Sequence, residues 1–192
     1  MATSAETPGS TRAGESKGGL AAAAWGAAAG IGASLVMAML AMIAALTYQN
    51  TGFFTPLYHI ASVLAPGDAM MQSMQSAMAG ESFTFLFGPA VLGAGIHMAV
   101  GAAYGALFGV IARLLRWHAA VLVGMAVVWG FVVFALSAWV GLPVAASLFG
   151  GGDPISNMAS MVGYPTFIAE HLAYGAMLGL LLITPLRRGV IH

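Results

Sequence analysis

Four long apolar runs, at about 20–47, 86–112, 118–141 and 165–185, decide most of what this chain can become. Each exceeds the ~20 residues needed to cross a hydrocarbon core ~30 Å thick. In hydrocarbon the backbone must satisfy its own hydrogen bonds, and uninterrupted runs of this length do so as helices. Charged residues are 6% of the chain and hydrophobic residues 60%, whereas a soluble domain carries roughly 25% charged residues. That is too little charge to wet a globular surface. The expected fold is therefore an all-α integral membrane protein, with one four-helix transmembrane domain over 20–188. The first run is far longer than the ~7–15 apolar residues of a cleaved signal peptide, so it reads as an uncleaved first span. Residues 1–19, rich in Ser, Thr, Gly and Ala, read as a disordered cytoplasmic tail.

Orientation follows from the basic residues. Arg12 and Lys17 precede the first span, Arg113 and Arg116 lie between the second and third, and Arg187 and Arg188 follow the fourth. The connections 48–85 and 142–164 contain no Lys or Arg; they carry Asp68, Glu81 and Asp153. The positive-inside rule then puts both termini in the cytoplasm. An Ala/Gly-rich composition is compatible with a bacterial source and hence with the bacterial cytoplasmic (inner) membrane. A net charge of zero argues against nucleic acid as a partner. The absence of cysteine excludes disulfides, thiolate metal sites, iron–sulfur clusters and cysteine nucleophiles.

The chain reads as one helical hairpin written twice. After the first span come Pro56, Gly67-Asp68, a Met-bearing segment, Gly80 and Phe83-Thr84-Phe85; after the third come Pro143, Gly152-Asp153, a Met-bearing segment, Gly163 and Pro165-Thr166-Phe167. Both halves then reach His-x3-Gly-x3-Gly: His97, Gly101, Gly105 and His171, Gly175, Gly179. Two such hairpins in one orientation form a parallel repeat about an axis along the membrane normal. The outer connections are expected to hold short interfacial helices. Thr55 and Asp68 are candidate caps, and Asp153-Pro154 a candidate start.

Three clusters carry the functional possibilities. Gly93, Gly101, Gly105 and Gly109 recur on the second span at four-residue spacing or its multiple, and Gly175 and Gly179 on the fourth. Small residues so spaced let helix backbones approach closely, within the chain or against a partner. The second cluster is His97 and His171, each sixteen residues before a cytoplasmic arginine, with Glu170 adjacent to His171. Ionisable groups in hydrocarbon are costly and mark candidate sites. Three readings compete: neutral imidazoles bonded across helix interfaces, axial ligands of a b-type haem, or a proton or ion site with Glu170. The third cluster is Met70, Met74 and Met78 with His59. Thioethers select Cu(I), but methionine also fills irregular apolar gaps.

No catalytic constellation is visible. Ser34 and Ser137 lie inside spans without a His–Asp partner in sequence, and no His-Glu-x-x-His is present. The expected function is a non-catalytic multi-pass membrane protein, a structural or accessory subunit. Its glycine-rich faces would pack in the lipid bilayer against another copy or a larger membrane complex. A haem-bearing electron-transfer subunit and a small transporter or ion site at the histidine pair are the alternatives.

Overall fold

The computed structural model of the chain describes residues 8–189, and all regular structure among them is helical. The described residues form nine α-helices, in order α1 (Pro8–Thr47), α2 (Thr55–Ala61), α3 (Asp68–Met78), α4 (Phe87–Leu115), α5 (Ala119–Leu136), α6 (Leu142–Phe149), α7 (Gly152–Ser156), α8 (Met158–Val162) and α9 (Tyr164–Arg187). Four stretches are long and apolar enough to span a membrane: Gly18–Thr47, Phe87–Leu115, Ala119–Phe149 and Tyr164–Arg187. They match the four expected runs. Of the tail expected over 1–19, residues 1–7 lie outside the described residues, and α1 begins at Pro8.

The third stretch outlasts its expected end, residue 141, because it crosses a π-helical turn, Ser137–Gly141, that joins α5 to α6. There the Leu142 N–H donates to the Ser137 carbonyl, five residues back. The extra residue in that ring changes the register just before Pro143, whose ring would otherwise press on a carbonyl of the preceding turn. At the other end of the bundle, Arg116 in left-handed conformation (φ 50°) stops α4 and begins the tight turn into α5.

Backbone proximity explains the glycines. A Cβ on Gly105 would fall 2.8 Å from Gly30 Cα and 3.0 Å from Gly30 N. A Cβ on Gly175 would fall 3.0 Å from both Gly130 Cα and Gly130 N. Gly101 and Gly109 likewise face α1, and Gly179 faces Ala126 and Val123 of α5. Gly93 differs: it admits the backbone of Leu57 in α2. These close backbone approaches lie between α1 and α4 and between α5 and α9, inside the chain. The two approaches share a contact pattern in a register that differs from the sequence motif. Gly105 occupies the place of Gly175, and so Gly101 occupies the place of His171. The two histidines open the same motif but hold different places in their hairpins.

Pairing runs in a row: α4 against α1, α1 against α9, α9 against α5. A strict two-fold would bring α4 to α5 as closely as α1 to α9. Instead α4 and α5 scarcely touch. Below, near their short turn, Phe108, Trp117, Trp129 and Tyr104 fill the space between them, with successive ring centroids 5.9–6.4 Å apart. Above, the two helices part.

The outer connections are helical as expected, but with other caps. Phe54 and Gly67 occupy the N-cap positions of α2 and α3, neither with a side-chain cap bond. Thr55 instead donates to Ser73 Oγ at 2.8 Å, tying α2 to α3. Asp68 is the first residue of α3. Helix α2 is not laid on the surface. Tyr58 is buried, donates to the Thr84 carbonyl at 3.0 Å and accepts from the Leu86 N–H at 2.7 Å. Next to it, the His59 Nε2–H donates to the Pro154 carbonyl at 2.8 Å and joins the two outer connections.

Candidate intramembrane site

Where α4 and α5 part, a cavity of ≈ 550 Å³ enters the bundle. Ile96 and Val100 of α4 line it on one side. Ser137 and Gly141 of the π turn, with Ala145 and Phe149 of α6, line it on the other. Residues of α1 and α9 also line it, and α2 lies over the end away from the α4–α5 turn. Val100 and Phe149 of this lining are exposed on the surface of the bundle. The π turn lies in the wall itself, a place where such turns recur at functional sites.

The lining is apolar except for a small set of groups: His97, His171, Glu170, Tyr104, Tyr174 and His59, with Ser34, Ser137 and Gln49. His97 and His171 therefore share one cavity, which their sequence spacing suggested but could not establish. The His97 Nε2–H donates to the Ser34 carbonyl at 3.1 Å. The His171 Nδ1–H donates to the Phe167 carbonyl at 2.7 Å, and its ring packs on Phe167 with centroids 4.4 Å apart. Because a carbonyl only accepts, each bond fixes a tautomer. In the neutral rings, His97 Nδ1 and His171 Nε2 are left as acceptors.

Tyr174, one turn along α9 from His171, crosses the core to donate to the Gly101 carbonyl at 2.7 Å. This residue was absent from the sequence candidates. Its position three residues after His171, on the same helix face, was the available signal. Tyr104 and the π turn were also missed. The π turn leaves no signature in an apolar run.

Glu170 is 6% exposed, and its Oε1 has no hydrogen-bond partner. It lines the cavity and also a second crevice, of ≈ 260 Å³, between α1 and α9. Thr47, Tyr48 and Thr166 form the crevice's outer end, where Tyr48 and Thr166 share a 2.7 Å hydrogen bond between their hydroxyls.

The methionines are not brought to a point. Met70 is buried against Tyr58 and Ala90, with Met74 packed beside it, while Met78 is 84% exposed. His59 lines the cavity and is bonded to Pro154. Among the described residues, no group of three or more His, Cys, Asp or Glu side chains is placed to hold a metal ion.

No known family matches this chain. The comparison covered family models, curated proteins and solved structures, and none matched. The site must therefore be read from its own chemistry.

Proposed function

We propose that this membrane protein binds a lipid-soluble, amphipathic molecule in the cavity, taken from the bilayer through the gap between α4 and α5. The observation that carries this reading is the cavity itself. It combines a largely apolar lining with a few polar groups, which is how small-molecule sites are built. An apolar tail would replace lipid contacts on the wall. A polar head would meet the acceptor nitrogens of His97 and His171 and the carboxyl of Glu170.

The orientation proposed is the one set by the arginines, with both termini cytoplasmic in a bacterial inner membrane and the α2 side outside. Packing as an accessory subunit through the glycine faces has less to work with. Gly101, Gly105 and Gly109 are filled by α1, and Gly175 and Gly179 by α5. A homo-oligomer or larger complex would have to use other surfaces.

One observation favours a second reading. Each imidazole donates one N–H to a backbone carbonyl and keeps the other nitrogen bare, the arrangement that orients histidine ligands. Haem ligation by His97 and His171 is tested by the absorption spectrum of the purified protein. A Soret band lost in either His→Ala variant would establish it.

The lipid-binding reading is tested with a photoreactive twelve-carbon alcohol in phosphatidylcholine vesicles. Labelling is expected around Ile96–Val100 and Ser137–Ala145, and Ala145→Trp should abolish it. Labelling spread evenly over the lipid-facing surface, unchanged by Ala145→Trp, would overturn the proposal.

A further inference from the structure

Among the described residues, an acid lies in the membrane-spanning part with no Lys or Arg in the lining around it. Glu170 is buried, one of its oxygens has no partner, and it opens on both the cavity and the α1–α9 crevice. The titratable groups around these spaces are His171 and Tyr174 from α9, His97 and Tyr104 from α4, His59 from α2, and Tyr48 just after α1. None is Lys or Arg. His97, His171 and His59 each spend one N–H on a backbone carbonyl. Tyr174 spends its hydroxyl on Gly101. His97, His171, His59 and Tyr174 still offer hydrogen-bond acceptance, while the Tyr104, Ser34 and Ser137 hydroxyls of the same lining can also donate. The head that both donates to these acceptors and compensates a buried carboxylate is a cation.

We propose that Glu170 makes the cavity selective for amphipathic molecules with a cationic ammonium head. This rests on the cavity-binding reading and names its ligand class. The head would lie against the Glu170 carboxylate, in a lining that His97, His171, Tyr104 and Tyr174 also share. The tail would run along Val100, Ala145 and Phe149 toward lipid. A neutral head of the same size gains the apolar wall and loses the charge-assisted bond.

The test compares two photoreactive probes in phosphatidylcholine vesicles at neutral pH, a twelve-carbon primary amine and the twelve-carbon alcohol. Labelling within 164–174 is normalised to labelling at Leu107 and Leu114, which are exposed on α4. The amine should label the cavity about tenfold to a hundredfold more than the alcohol, the range supplied by a hydrogen bond to a charged group. Glu170→Gln should bring the amine down to the alcohol's level, whereas Glu170→Asp should keep most of the preference. Equal labelling of the wild-type protein by both probes would overturn the cation preference and leave the cavity reading standing. A preference that survives Glu170→Gln would overturn the role of Glu170. Cavity labelling by neither probe would overturn both readings. The wild-type comparison decides the matter even where the Gln variant fails to fold.

Discussion

Gly105→Ala is the sharpest test of the fold, because the added methyl group has nowhere to go. Its Cβ would meet the carbonyl oxygen of Gly26 and lie 2.8 Å from Gly30 Cα and 3.0 Å from Gly30 N. All three are backbone atoms of a packed helix, so no rotamer change relieves the contact. The α1–α4 pair must separate along its close approach, from Gly30–Gly101 to Ala22–Gly109. Overpacking of a close-packed interior costs about 1–3 kcal/mol. Taking ~2 kcal/mol, the folded-to-unfolded ratio falls roughly thirtyfold, since each 1.4 kcal/mol is about tenfold. Gly95→Ala is the control. It lies on the same helix with nothing within 4 Å of its Cβ position, and it should shift stability by no more than ~0.5 kcal/mol. Equilibrium unfolding in mixed micelles, followed by helical circular dichroism, measures both. If Gly105→Ala is as mild as Gly95→Ala, the backbones are not in contact there and the close approach is wrong.

Three further outcomes follow from the same structure. Tyr174→Phe removes the 2.7 Å bond to the Gly101 carbonyl and should cost about 0.5–1.5 kcal/mol in the same assay; no loss would mean that Tyr174 does not clasp α9 to α4. His59 lies outside the spans, and burial, opposed by its bond to the Pro154 carbonyl, holds its pKa below the usual value. The unfolded chain therefore binds the proton more readily, so stability should fall as pH drops below about 6.5. His59→Gln should flatten that slope when unfolding is measured between about pH 7.5 and 5.5, and an unchanged slope would exclude His59 as its source. Reporter fusions after residues 115 and 190 should read cytoplasmic and those at 66 and 151 external; a cytoplasmic reading at 66 would contradict the arginine-based orientation.

The spans were legible because hydrocarbon imposes a simple rule on run length, and the helices fall where the apolar runs do. The glycine stripes were legible as rows of small residues, since four-residue spacing puts them on one helix face. Which helix fills each stripe was not. Gly93 receives α2 and Gly101 receives α1, although both belong to one row in sequence. The histidines were recognisable as costly, but aligning them by motif implied equivalent places. The packing register follows backbone contact instead, and puts Gly105 with Gly175. The cavity could not be read at all. It arises because α4 and α5 part above the Tyr104–Trp129–Phe108 cluster while α1 and α9 do not, a difference in tertiary pairing that neither half announces. The π turn in its wall has the same character. It shifts a register inside an apolar run and changes no residue pattern.

Mass spectrometry of the intact protein, released directly from its membranes under conditions that preserve the fold, tests binding from the bilayer most directly. The wild-type protein should emerge with a bound small molecule whose mass exceeds that of salt and water adducts, and Ala145→Trp, which fills the cavity wall, should emerge bare. A bare wild-type protein, or a variant carrying the same mass as the wild type, would contradict the claim that this cavity holds a molecule drawn from the lipid.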